Sequence, residues 1–221
     1  MNKTLTPKSS HIQLVFLGFV ALTIGIVCML DVIFVYQLPA LTSISESATT
    51  GNKAGMLLPF ALGCMFTYCI AYVGYCRSER ILTRIMAIGF AVVALQICDS
   101  IYVTVDRVGL LGLSPQTSHI LHTIAAVIGF GAMFIWVAFY FTRGVANPTP
   151  EKRTRNRIYL VCATFMVSGI ILFILGMFGL IGAHSVFIAE EFLLIPAGFA
   201  SIVKGGFLFE DKKHPFRQRR R

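Results

Sequence analysis

Six long apolar segments, separated by short polar ones, constrain what this chain of 221 residues can fold into. A helix needs about 20 apolar residues to cross the hydrocarbon core of a membrane, because each residue advances it by ~1.5 Å. Hydrophobic residues make up 56% of the chain and charged residues only 13%, which is atypical of a soluble domain and excludes a disordered chain. We therefore predict an all-α fold, an integral membrane bundle of six helices that forms a single transmembrane domain. The predicted spans are residues 11–36, 54–76, 81–105, 118–142, 158–181 and 185–209.

The positions of the basic residues predict how this bundle is oriented. Of the 19 Lys and Arg residues, sixteen fall in the N-terminus, the second and fourth connections and the tail, residues 210–221. Only Lys53 and Arg107 fall in the other connections, and Lys204 lies near the inner end of the sixth span, where snorkelling explains it. Cytoplasmic segments carry an excess of Lys and Arg, so we predict cytoplasmic N- and C-termini and a location in the plasma membrane. The net charge of +9 is thus an orientation signal, and we expect no nucleic acid partner.

Ionisable residues near the predicted outer ends of the spans are candidates for a binding site. Charges at membrane depth are costly and indicate function by default. The alternating direction of the spans brings these side chains to one leaflet, beneath a polar outer loop at residues 37–53. The candidates are Asp31, Asp99, His119, His122, Glu190 and Glu191.

The residues alone leave three interpretations of this outer cluster open. They are interhelical hydrogen bonds that fix packing, a site for the head group of a lipid or another amphiphile, and a metal or hydrolytic centre. His119 and His122 share a helix face, whereas Glu190 and Glu191 diverge by ~100°. Histidine and carboxylate are zinc ligands, but a catalytic site needs three placed ligands, so we assign no metal. We expect no haem, because both candidate histidines belong to one helix.

Three short motifs resemble those of a known family. Ile44-Ser45-Glu46 is similar to the element that follows the first span in the Frag/DRAM/Sfk group of six-span proteins. Ala189-Glu190 is similar to the acidic start of the last span in that group, although Glu191 stands where an aromatic residue is expected. Gly112-Leu113-Ser114-Pro115 and the following Leu121-His122 resemble the start of the fourth helix in bacterial domain-of-unknown-function family nine hundred and ninety-eight.

The resemblance implies a lipid-associated membrane protein. Eukaryotic members of the group are linked to lipid remodelling, lipid asymmetry or autophagy. The positions that the resemblance marks as important are Ser45, Glu46, His122 and Glu190.

Together, these observations predict a multi-pass membrane protein that recognises a lipid or another amphiphile through an outer-leaflet polar cavity. Membrane lipids are the expected partners. The first alternative is an intramembrane lipid-remodelling enzyme or hydrolase that uses His122 with Asp99 or Glu190. The second is a small-solute transporter, which the scarcity of ionisable groups in the inner halves of the spans disfavours.

Overall fold

The described part of the chain is all-helical, as the sequence predicts. The computed structural model describes residues 7–34, 70, 74, 76–101, 112–143, 148–182 and 184–209. No strand occurs in these ranges. The α-helices whose bounds the structure describes are α1 (Pro7–Phe34), α2 (Arg77–Ile101), α3 (Pro115–Ile135), α4 (Pro150–Met177) and α5 (Ser185–Lys204). Helix α3 continues into a π-helical turn, Trp136–Tyr140. Most of the span predicted at residues 54–76 lies outside the described residues.

Within the residues that the structure describes, three helical stretches are long and apolar enough to cross a membrane. They are Gln116–Tyr140, Pro150–Met177 and Ser185–Lys204. A shorter apolar stretch, His11–Val27, lies within α1. Large apolar side chains such as Ile128 on α3 are exposed on the bundle surface. Contiguous apolar surface of this kind is unfavourable in water, and together with helix length it indicates a membrane protein.

Local sequence signals fix the starts of two of these helices. Ser114 precedes Pro115 at the start of α3, and its hydroxyl accepts a hydrogen bond from the backbone N–H of Thr117 at 3.2 Å. Thr149 likewise caps α4, accepting from the N–H of Lys152 at 3.1 Å. A hydroxyl at the N-cap satisfies an N–H that has no partner within the helix, and proline is well tolerated in the first turn.

Glycines let α1 approach α5 closely. A Cβ atom at Gly18 would lie 2.5 Å from the carbonyl oxygen of Gly198, and one at Gly25 would lie 2.8 Å from a carboxylate oxygen of Glu191. Residue numbers rise along α1 as they fall along α5, so the two helices are antiparallel. Small residues at a crossing allow the backbones to pack against each other, which is a common basis of helix association in membranes.

The other helix pairs are antiparallel as well. Helix α5 packs between α1 and α4, and α2 pairs with α3. Gly89 of α2 faces Gly129 of α3, while Gly169 of α4 faces Leu193 of α5. This arrangement gathers the starts of α1, α2 and α4 with the ends of α3 and α5. The candidate site described below lies at that end of the bundle.

Candidate functional site

A cavity of about 670 Å³ lies where these five helix ends meet. Its volume falls within the ~300–1,000 Å³ that is typical of ligand pockets. Its lining joins basic groups with the rings of Tyr140 and Tyr159 and with one carboxylate, that of Glu79, among the described residues. We call it the basic cavity, after its four basic residues Arg143, Lys152, Arg155 and Lys204.

The two lysines of the basic cavity converge on one backbone oxygen. Lys152 Nζ donates a hydrogen bond to the carbonyl oxygen of Phe141 at 3.1 Å, and Lys204 Nζ donates to the same oxygen at 3.4 Å. Phe141 follows the π-helical turn at the end of α3, where helix carbonyls carry partial negative charge. The carbonyl therefore holds two ammonium groups close together, although they repel each other.

The two arginines are held by other partners. Arg155 Nη1 donates to the carbonyl oxygen of Phe209, just beyond α5, at 2.6 Å. The guanidinium carbon of Arg143 lies 4.2 Å from the centre of the Tyr140 ring, a cation–π contact. The basic groups of the cavity thus have three anchoring points, two at the consecutive residues Tyr140 and Phe141 and one at Phe209.

The carboxylate of the cavity, Glu79, is bound to the only tryptophan of the chain. Glu79 lies in the first turn of α2 and is 4% exposed, and Trp136 Nε1 donates to its Oε1 at 2.9 Å. A helix N-terminus stabilises a carboxylate, and a hydrogen bond to a charged acceptor is stronger than one between neutral groups. This buried bond joins the start of α2 to the end of α3, and Glu79 also attracts Lys204 electrostatically.

The π-helical turn positions both the tryptophan and the lysine-binding carbonyl. The backbone N–H of Phe141 donates to the carbonyl of Trp136, five residues earlier, at 3.2 Å. The rings of Trp136 and Phe141 contact each other with centroids 4.6 Å apart, and Phe141 contacts Tyr159 at 5.4 Å. All three side chains are fully buried, and Tyr159 also lines the basic cavity. Short π-helical turns are frequent at functional sites.

The residues that the sequence predicts as an outer site lie toward the opposite end of the bundle. Glu190 and Glu191 are both buried near the start of α5, because that helix has neighbours on two sides. Both carboxylate oxygens of Glu191 are buried without a hydrogen-bond partner, as is Nδ1 of the half-buried His122. His119 is exposed. Within the described ranges, no hydrogen bond or ion pair joins His122 to either glutamate.

The remaining outer candidates are described only in part or not at all. Asp31 and Asp99 lie in α1 and α2, but their side chains are outside the described set. Ser45 and Glu46 lie outside the described residues altogether. The outer cavity therefore stays a prediction. In the part of the chain that the structure describes, no three His, Cys, Asp or Glu side chains are grouped as a metal ion would require.

Sequence reasoning missed the basic cavity. It treated the basic residues as orientation signals and did not single out Glu79 or Trp136. Two signals were present, since Glu79 is the one acid between Arg77 and Arg84 and Trp136 is the single tryptophan of the chain.

No protein-family model matches this chain, and neither the curated proteins nor the solved structures contain a match. The resemblance to the Frag/DRAM/Sfk group therefore stays a prediction.

Proposed function

We propose that this chain is a six-span membrane protein with cytoplasmic termini that binds a phosphate-bearing amphiphile, a membrane lipid, in the basic cavity. The observation that carries the proposal is the convergence of four basic side chains on one cavity at the ends of apolar helices. Arginine and lysine bind phosphate through charge-assisted hydrogen bonds. Basic pockets between membrane helices on the cytoplasmic side are known to accept anionic lipid head groups.

The surroundings of the cavity favour a lipid over a soluble anion. Phe139, next to the lining residue Tyr140, is exposed, and so is Phe207, next to the lining residue Gly206. These exposed rings offer apolar contact at positions next in sequence to residues that line the charged cavity. An amphiphile would place its head group among the basic residues and its chains along this apolar surface.

The direction of the helices supports the six-span topology. Helices α1 and α2 both begin at the end that carries the basic cavity. A span between them, predicted at residues 54–76, would return the chain to that end. The same end carries Arg143, Lys152 and Arg155, and the positive-inside rule places such residues in the cytoplasm.

Cysteine labelling tests this topology. In a background without native cysteines, Ser47→Cys is expected to react with a membrane-impermeant maleimide on intact cells. Arg153→Cys, at an exposed position on α4, is expected to react only after permeabilisation. Labelling of Arg153→Cys on intact cells would refute the cytoplasmic placement of the basic cavity.

Lipid binding tests the site. Binding of phosphatidylglycerol to the purified protein in phosphatidylcholine nanodiscs is expected to change the fluorescence of Trp136, whose indole donates to the lining residue Glu79. Lys152→Met should weaken the binding at least tenfold, since a hydrogen bond to a charged group contributes about 1.5–3 kcal/mol and ~1.4 kcal/mol is tenfold. The matched control is Arg153→Gln, which removes the neighbouring charge of α4 from a position that does not line the cavity.

The two variants separate a specific site from general surface charge. Equal weakening by Lys152→Met and Arg153→Gln would show that the basic end attracts anionic lipid without a site. Absence of any binding by the wild type would refute the proposal.

The outer polar residues define a second candidate site for an amphiphile. The observation that favours it is the burial of both carboxylate oxygens of Glu191 without a partner, because such a group is costly unless something compensates it. The same binding assay distinguishes the two sites. If Glu191→Gln lost binding while Lys152→Met kept it in full, the lipid would bind at the outer end of the bundle and not in the basic cavity.

A further inference from the structure

Glu191 is an acidic side chain enclosed in the contact between α1 and α5. It lies six residues beyond Ser185, the first residue of α5, which is about 9 Å along the helix. The residue is 4% exposed, and a Cβ atom at Gly25 of α1 would lie 2.8 Å from its Oε2. Neither carboxylate oxygen has a hydrogen-bond partner among the described residues. The contact therefore encloses an acidic group to which the described part of the chain donates no hydrogen bond.

The titratable side chains around this contact do not supply a positive partner. Glu190, the neighbouring residue of α5, repels the ionised form of Glu191. The part of α4 beyond Cys162 contains no ionisable residue. The other titratable side chains toward this end of the bundle are His119 and His122 on α3, His184 before α5, and Asp31 and Asp99, whose side chains lie outside the described set. Of the described ones, none bonds to the oxygens of Glu191.

The surroundings of Glu191 decide which cation suits it. An isolated ionised carboxylate is very unfavourable in apolar surroundings, so such a group is neutralised. A metal ion needs several ligands, and no three His, Cys, Asp or Glu side chains of the described residues are grouped for one. The close approach of Gly25 leaves no room for a larger cation on the α1 side. A proton adds almost no volume, and it therefore fits this contact.

We infer that Glu191 binds a proton inside the contact between α1 and α5, and that this proton holds the two helices together at the end opposite the basic cavity. The inference goes beyond lipid binding in the basic cavity and does not depend on it. As a neutral acid, Glu191 packs against Gly25 without a charge. Once the proton leaves, the carboxylate requires water or a positive partner, and the contact has to loosen to admit one. The contact is thus strong in acid and weakens as the pH rises.

Two measurements on the full chain in detergent test this proton site. Infrared difference spectra of the wild type against Glu191→Gln at neutral pH are expected to show the C=O band of a carboxylic acid. The band should disappear at about pH 9–10, above the range in which documented buried glutamates titrate. The melting temperature of the wild type should fall over the same rise in pH, and that of Glu191→Gln should fall less. The control is Glu151→Gln in the first turn of α4, at the other end of the bundle, which should keep the fall of the wild type.

A second variant covers the case in which Glu191→Gln does not fold. Glu191→Met introduces an apolar side chain of similar length and should fold, because the neutral acid has no hydrogen-bond partner among the described residues that methionine would leave unsatisfied. Failure of both variants to fold, absence of the acid band, or an equal fall of the melting temperature in the wild type and Glu191→Gln would each overturn the proton site. None of these results bears on the basic cavity, whose lipid binding is measured separately.

Discussion

Replacing Trp136 with alanine is expected to lower the free energy of unfolding by about 3–5 kcal/mol, the usual cost of truncating a buried aromatic side chain. The indole is 1% exposed, contacts the ring of Phe141 and donates to Glu79. Its removal leaves an empty space beside Phe141, whose carbonyl oxygen accepts hydrogen bonds from both lysines of the basic cavity. Phe139→Ala in the same π-helical turn is the control, because that ring is exposed and its loss should change stability by less than about 0.5 kcal/mol.

A double-mutant cycle isolates the hydrogen bond from the packing. Trp136→Phe keeps an aromatic ring and deprives Oε1 of Glu79 of its indole donor, which should cost about 1–3 kcal/mol. Glu79→Gln keeps an oxygen acceptor but removes the charge. The coupling free energy between the two substitutions is expected to reach about 0.5–3 kcal/mol. It is obtained from melting curves of the four proteins in detergent, followed by circular dichroism. Strictly additive effects would mean that the indole and the carboxylate do not stabilise each other.

Gly18→Ala is expected to destabilise the protein by about 1–3 kcal/mol through overpacking. The added Cβ atom would lie 2.5 Å from the carbonyl oxygen of Gly198 and from a side-chain carbon of Ile202, so α1 has to move away from α5. The matched control is Gly131→Ala in α3, where nothing lies within 4 Å of the added atom. There the greater helix propensity of alanine should stabilise the protein by roughly 0.5–1 kcal/mol.

The measurement is again the melting temperature in detergent. Opposite signs for the two glycine substitutions are the expected result. Equal effects at the two positions would show that the crossing of α1 and α5 is looser than the structure indicates.

The helical character of the chain could be predicted because it depends on local sequence. A run of about 20 apolar residues identifies a membrane helix without knowledge of its neighbours. The starts of α3 and α4 are likewise local, since Ser114 and Thr149 each precede a proline that opens the helix. The orientation prediction also follows from counting charges along the chain, and it awaits its test.

The basic cavity could not be predicted in the same way, because residues from distant parts of the chain form it. His11, Glu79, Lys152 and Lys204 meet only when antiparallel packing gathers five helix ends. Read one by one, the lysines fit an orientation signal or a snorkelling side chain, and both readings are physically sound. The sequence of apolar and polar residues also does not reveal that Trp136 opens a π-helical turn. The turn depends on which backbone carbonyl each N–H bonds, and the N–H of Phe141 bonds that of Trp136, five residues earlier.

That turn makes the basic end sensitive to insertion and deletion. A π-helical turn takes up one residue more than a regular helical turn, so it holds an extra residue while the chain on either side stays helical. Removing one residue from the stretch Trp136–Tyr140 would leave hydropathy and charge almost unchanged. It would change the widened turn into a regular one, so the N–H of Phe141 would bond a different carbonyl. A chain with the same apolar profile but one residue fewer at this point would therefore keep the membrane helix and lose the widened turn beside the lysine pair.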